Sequence, residues 1–105
     1  MERIVIVAYS PKPGKAEALK TLMTTHWETL NHQGLVSGRK PIIVESKNGT
    51  VIEIFGWKSK EAMARAHQDD VVQELWEEYE EVCEYVPIGD LPECHQLFSE
   101  FTPLN

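Results

Sequence analysis

Two segments of the chain, residues 3–9 and 50–57, are apolar on both sides when they are written as extended strands. In the first segment, isoleucine and alanine occupy positions 4, 6 and 8, and valine and tyrosine occupy positions 5, 7 and 9. The second segment is similar and carries one charged residue, Glu53. A strand with one wet face should alternate apolar and polar residues. A sheet built from these segments therefore needs cover on both faces.

Local signals divide the first half of the chain into a strand, a helix and a β-hairpin. After the strand over residues 3–9, a helix is expected over residues 15–31, because its apolar residues recur at three- and four-residue spacing. Gly34 is expected to end that helix. Asn48 and Gly49 predict a tight turn between strands over residues 41–46 and 50–57, since both residue types tolerate positive φ.

The second half of the chain predicts a helix in two parts and a last strand. Ser59 is a cap for a short helix that runs to about residue 67. Asp69 and Asp70 are caps for a longer helix that continues through residue 86, with Gln73 placed as in a capping box. A final strand, which includes His95, is expected over residues 93–102.

The order β-α-β-β-α-β predicts one ferredoxin-like α+β domain over residues 1–105, because a chain of this length is too short to divide into two cores. Its four-stranded antiparallel sheet would carry helices on one face only. We expect a second copy of the chain to cover the other face, giving a homodimer of the dimeric α/β barrel kind. The alternative is a C-terminal segment that folds across the open face, although few residues remain to form it.

Composition and charge exclude several classes of partner. The net charge is −7, and all ten Lys and Arg residues fall within residues 3–65. No basic stripe is present, so binding to nucleic acid or to an anionic membrane is not expected.

The opening apolar run is too short for a secretory signal, and Cys83 and Cys94 form no C-x-x-C pattern. We therefore expect a cytoplasmic protein with free thiols.

One stretch of the chain resembles a known family. From Phe55 to His67 it reads FGWKSKEAMARAH, in which a strand ending in aromatic residues is followed by Ser, Glu-Ala and a His before the last long helix. This stretch resembles the antibiotic biosynthesis monooxygenase family of dimeric α/β barrel proteins. The resemblance implies a homodimer and oxidation of a small phenolic or quinol-like aromatic ligand without a cofactor. The fold also hosts proteins without catalysis, so a small-molecule-binding or stress-response protein is the alternative.

The haem-degrading branch of this superfamily is similar in the same region. Its members use an Asn on the first strand together with a Trp and a His on the second helical segment. The first strand of this chain ends in Tyr9-Ser10 and has no Asn. Haem degradation is therefore not expected.

The resemblance and the helical pattern together suggest the candidate site residues. His67 is the candidate general base, with a helix-ending histidine that binds backbone carbonyls as the alternative. Tyr79 would supply a hydrogen-bonding hydroxyl, and Trp57 and Phe55 would form flat walls against a substrate. His26 either lines the same cleft or is a core histidine with satisfied hydrogen bonds.

Two further features bear on the site. Glu53 either pairs with Arg3 across the partner sheet, which we favour, or acts as an acid in a pocket. The four histidines are scattered and lack ligand spacing such as H-x-x-x-H, so no metal site is expected.

Overall fold

A computed structural model describes all residues 1–105 of the chain. It contains five strands and three α-helices, in the order β1 (Arg3–Pro11), α1 (Ala16–His32), β2 (Ile42–Glu45), β3 (Val51–Trp57), α2 (Lys60–Ala66), α3 (Asp70–Val82), β4 (Cys83–Val86) and β5 (Thr102–Pro103). Two short 3-10 helices, Ile88–Asp90 and Pro92–His95, lie between β4 and β5. None of the helices combines the length and the apolar character that crossing a bilayer requires.

The five strands form one open antiparallel sheet in the order β4-β1-β3-β2-β5. At its centre β1 pairs with β3, with Val7 opposite Glu53 and Ile6 opposite Ile54. The helices pack on the face that carries Val7. This is an α+β fold, compatible with the predicted ferredoxin-like arrangement, but the sheet has five strands where four were expected.

Most of the predicted helix ends and turns are present in the structure. Gly34 after α1 has φ 71° and Gly49 in the hairpin has φ 90°, both in the left-handed region that favours glycine. The side chain of Ser59 accepts a hydrogen bond from the backbone N–H of Ala62 at the start of α2. These residues set the bounds of the hairpin and of the helix that carries His67 at its C-terminal end.

The start of α3 differs from the predicted capping box. Asp69 alone is the cap, since its carboxylate accepts hydrogen bonds from the N–H groups of Val71 and Val72. The side chain of Gln73 instead donates to the backbone carbonyl of Ala66 at 3.2 Å, which ties α3 to the end of α2. The prediction that Asp70 and Gln73 form a capping box is therefore wrong.

The predicted end of α3 and the predicted last strand are also wrong. The helix stops at Val82, and Cys83 turns into an extended conformation with φ −153° and ψ 170°. The next residues pair with the free edge of β1, with Tyr85 opposite Tyr9. The backbone groups of β1 on that side would otherwise lack partners, and this tertiary pairing overrides the helical pattern. His95 consequently lies in a 3-10 helix rather than on a strand.

The C-terminal segment folds across part of the open face of the sheet. Leu91 is 1% exposed and packs with Ala8 and Ile52 on the face opposite the helices. At the other end of that face Ile4 and Ile6 remain about half exposed, at 53% and 49%. The alternative in which this segment covers the open face is therefore correct for one end of the sheet, and cover of the other end by a second copy stays a prediction.

Glu93 anchors the C-terminal segment to the β2–β3 hairpin. Its carboxylate accepts hydrogen bonds from the hydroxyl of Ser46 at 2.7 Å and from the backbone N–H of Lys47 at 2.9 Å. The hydrogen bond from Lys47, aided by the one from Ser46, lowers the pKa of Glu93 below its usual value. Farther along, Leu104 donates through its backbone to the carbonyl of Ile43 at 2.8 Å, so the chain end adds to the edge of β2.

Candidate functional site

A cavity of about 380 Å³ lies between the helices and the end of the sheet formed by β1, β3 and β4. Its volume falls within the range of roughly 300–1,000 Å³ that is common for small-molecule sites. The lining is mostly apolar and aromatic, and it consists of Val5, Val7, Tyr9, His26, Phe55, Trp57, Met63, His67, Trp76, Glu80 and Tyr85. All three helices and three strands therefore contribute to one site.

The aromatic walls come from neighbouring residues on β3 and from α3. Phe55 and Trp57 are buried on the helix-facing side of β3, with ring centroids 5.3 Å apart. Residues two apart on a strand share a face, so their spacing places both rings toward the cavity. Trp76 on α3 stands edge-on to His67, with ring centroids 5.1 Å apart. A flat aromatic molecule in the cavity would therefore have aromatic side chains from both β3 and α3 around it.

His67 lies at the mouth of the cavity. It is the C-terminal cap residue of α2, and its side chain is exposed to solvent as well as to the cavity. Its contact with the ring of Trp76 is the one aromatic contact that it makes. Its position is compatible with proton exchange between bound ligand and water.

The inner end of the cavity holds a buried cluster of Tyr9, His26 and Glu53. Glu53 on β3 is fully buried, and its Oε1 accepts a hydrogen bond from the hydroxyl of Tyr9 at 2.9 Å. Nδ1 of His26 lies 2.8 Å from the same oxygen, with the ring turned so that this contact misses hydrogen-bond geometry. Oε2 of Glu53 has no partner. The carboxylate is thus desolvated and only partly satisfied.

The helical period of α1 explains why His26 reaches this cluster. It lies on the same buried stripe as Met23 and Leu30, at spacings of three and four residues. Nδ1 of His26 is buried beside Glu53 without a hydrogen bond. Nε2 is not buried without a partner in this way, and the ring lines the cavity. The imidazole therefore connects the buried carboxylate to the ligand space.

Tyr79 lies behind the cluster and does not line the cavity. Its side chain is completely buried, and its hydroxyl lies 3.3 Å from Sδ of Met23. Its ring packs against Tyr9 and His26, with centroids 5.2 Å away in each case. The hydroxyl expected to contact a substrate is therefore directed into the core.

Burial keeps the tyrosines of this region neutral. Desolvation, and then the charge of Glu53, raise the pKa of Tyr9 well above its usual value. The same two causes raise the pKa of Tyr79. Desolvation raises the pKa of Tyr85 at the edge of the cavity to about 12. Each of these residues is thus a phenol at neutral pH, and the hydroxyl of Tyr9 donates a hydrogen bond to Glu53.

A second cavity, of about 420 Å³, lies on the opposite side of α1 beside β2 and the chain end. The ammonium group of Lys40 stands 4.6 Å from the ring centroid of Trp27 at this cavity. Trp27 itself is buried, and its Nε1 has no hydrogen-bond partner. None of the candidate residues suggested by the sequence lines this cavity.

The structure brings together four of the five candidate residues. His26, Phe55, Trp57 and His67 all line the first cavity, and Tyr79 does not. Glu53 does not pair with Arg3, so the favoured interpretation of that residue is wrong. Its carboxylate lies on the helix side because the ladder places Glu53 opposite Val7, which packs under the helices.

No protein-family model matches the chain, and a search of curated proteins and of solved structures finds no significant match either. The geometry of the cavity and the residue pattern between Phe55 and His67 are the features that bear on function.

Proposed function

We propose that this protein is a monooxygenase that oxidises a small phenolic or quinol-like compound without a cofactor, similar in this respect to the antibiotic biosynthesis monooxygenase family. The observation that carries the proposal is the cavity of about 380 Å³ with aromatic walls and two imidazoles on its lining. Such a cavity suits a flat, weakly acidic aromatic ring.

In this reaction the protein needs to bind the substrate and to transfer a proton. A phenol with an oxidisable ring carbon supplies the electrons, and one atom of O₂ enters that carbon while the other leaves as water. Removal of the hydroxyl proton by a positioned base makes the ring electron-rich enough to react. Phe55 and Trp57 would hold the ring, and His67 at the mouth would exchange protons with solvent.

Oxygen uptake tests this function. Wild-type protein, freed of metals by chelation, is mixed with a panel of anthrones and reduced quinols, and O₂ consumption is compared with the His67→Ala variant. His32→Ala is the control, because His32 is an exposed histidine at the end of α1 that does not line the cavity. We expect uptake that depends on wild-type protein, that falls in His67→Ala and that is unchanged in the control. No uptake with any member of the panel would refute the enzyme proposal.

The second candidate function is binding of a small aromatic molecule without catalysis, as in a stress-response protein. The observation that favours it is the position of Tyr79, whose hydroxyl contacts Met23 and is not available to a substrate. This function predicts tight binding of phenols in the cavity with no O₂ consumption. Calorimetric titration beside the oxygen measurement separates the two functions.

The exposed end of the open sheet face supports a proposal about assembly. Ile4, Ile6 and Ile42 are between 49% and 55% exposed on that face, and an apolar patch of this kind suits contact with a second copy. We propose a homodimer, packed as in a dimeric α/β barrel.

Free Cys83 and Cys94 suit a reducing compartment such as the cytoplasm.

Light scattering at micromolar concentration tests the dimer. We expect wild type at twice the chain mass and Ile6→Lys at the mass of one chain. Val71→Lys is the matched control, since Val71 is 48% exposed on α3, away from that face. A stable wild-type monomer would contradict the proposal.

A further inference from the structure

Glu53 is a buried carboxylate that the fold alone does not explain. It is 0% exposed, only its Oε1 has a hydrogen-bond donor, and its Oε2 has no partner. Leaving a buried acceptor unpaired costs about 1–3 kcal/mol, and more when the group is charged. An apolar residue of similar size would avoid that cost on a strand whose other residues are apolar. The carboxylate therefore has a use other than stabilising the core.

The neighbour of Glu53 indicates that use. Nδ1 of His26 lies 2.8 Å from Oε1 of Glu53, and both Nδ1 and the second carboxylate oxygen, Oε2, are buried without another partner. A carboxylate behind one ring nitrogen fixes the tautomer with the proton on that nitrogen and leaves the lone pair of the other nitrogen free. It also stabilises the imidazolium that forms when the ring takes up a proton.

We propose that His26, positioned by Glu53, is the base that removes the hydroxyl proton from a phenol bound in the cavity; this inference rests on the proposed function. In the step, the O–H bond of the phenol breaks and its electron pair remains on oxygen as a phenolate. The proton forms a bond to Nε2 of His26, and the positive charge on the ring is balanced by the carboxylate of Glu53. No oxidant is consumed in this step, which precedes the reaction with O₂.

The geometry favours His26 over His67 for this role. His26 is 4% exposed and has a carboxylate in contact, whereas His67 is exposed at the mouth and contacts no carboxylate. Water screens an interaction at the mouth far more than one at the inner end of the cavity. Tyr9 cannot compete for the proton, because it remains a phenol that donates to Glu53.

The absorbance of bound 4-nitrophenol tests the proposal, since the phenolate absorbs at longer wavelength than the phenol. At a pH below the pKa of the free compound, we expect wild-type protein to bind it largely as phenolate. Glu53→Gln should reduce the ratio of bound phenolate to phenol by about tenfold or more, because an opposite charge in contact favours the charged form of a base. His26→Gln should abolish the phenolate band, and His32→Gln, at an exposed histidine that does not line the cavity, should leave it unchanged. A band that survives His26→Gln but is lost in His67→Gln would overturn the proposal.

Nitrogen-15 NMR of His26 in the free protein supplies a measurement that needs no ligand and no variant. We expect the proton on Nδ1 in the neutral ring, and a proton on Nε2 instead would overturn the proposal.

Oxygen uptake separates this inference from the proposed function. Phenolate formation at His26 without O₂ consumption would refute the oxygenase and leave the base in place, whereas undiminished uptake by a folded His26→Gln would refute the base and leave the oxygenase.

Discussion

The hydroxyl of Tyr9 on β1 donates a hydrogen bond of 2.9 Å to Oε1 of Glu53 on β3. The two residues are diagonal neighbours, since Tyr9 is opposite Val51 and Glu53 is opposite Val7 in the ladder. Both point to the helix side of the sheet, and the long phenol ring spans the offset between them. The contact holds the carboxylate beneath α1, where His26 meets it.

Removal of this hydroxyl should destabilise the fold. In Tyr9→Phe, Oε1 of Glu53 would lose its only hydrogen-bond donor, and we expect the free energy of unfolding to fall by about 1–3 kcal/mol. The control is Tyr85→Phe, because Tyr85 lines the same cavity but is 52% exposed. Urea denaturation measures both variants. Equal stability of the two would show that the Tyr9–Glu53 hydrogen bond does not stabilise the protein.

The packing of the C-terminal segment on the open face gives a second prediction. Leu91 is 1% exposed against Ala8 and Ile52, so Leu91→Ala should cost about 2–5 kcal/mol, the range for truncating a buried leucine. Leu97, six residues later, is completely exposed, and Leu97→Ala should change stability by less than about 0.5 kcal/mol. Thermal unfolding compares the two. A Leu91→Ala variant as stable as wild type would mean that the segment is not packed as described.

The buried tyrosines predict how the protein responds to alkali. The pKa of Tyr85 is raised to about 12, and those of Tyr9 and Tyr79 are also raised above the ordinary value of 10.0. In the unfolded chain all three would ionise near pH 10, so the unfolded state loses protons first and stability falls as the pH rises above about 10.

Ultraviolet titration followed beside circular dichroism checks this behaviour. We expect little tyrosinate absorbance while the fold is intact at about pH 10, followed by its appearance together with loss of structure at higher pH. Three tyrosines that titrate near pH 10 in a protein with native circular dichroism would contradict the burial described for Tyr9 and Tyr79.

The elements set by local chemistry follow from the sequence. The period of α1 places His26 on the buried stripe, and Ser59 and Gly49 mark a helix start and a hairpin turn through hydrogen bonding and positive φ. These signals depend on residues close together in the chain, and they are predictable for that reason. The partners of Glu53 are not predictable from the sequence, because both faces of β3 are apolar. The alternation of residue types therefore does not indicate which face the helices cover.

Tertiary contacts decide the remaining differences. The segment Cys83–Val86 fits the helical pattern of α3, yet it forms a strand that pairs with the free edge of β1. Tyr79 faces inward as the pattern predicts, but the rings of Tyr9 and His26 pack against it on the side toward the cavity. The spacing of residues along one helix indicates which face is buried. It does not specify which side chains of other elements pack between that face and a cavity.

We expect a small aromatic ligand to bind in the cavity between the helices and β1, β3 and β4. Intermolecular nuclear Overhauser effects between 4-nitrophenol and the protein test it most directly, because they report which side chains touch the ring. We predict contacts to Phe55, Trp57 and Trp76. Contacts to Met23 and Pro41 instead would place the ligand in the other cavity, on the opposite side of α1, and would contradict binding between the helices and β1, β3 and β4.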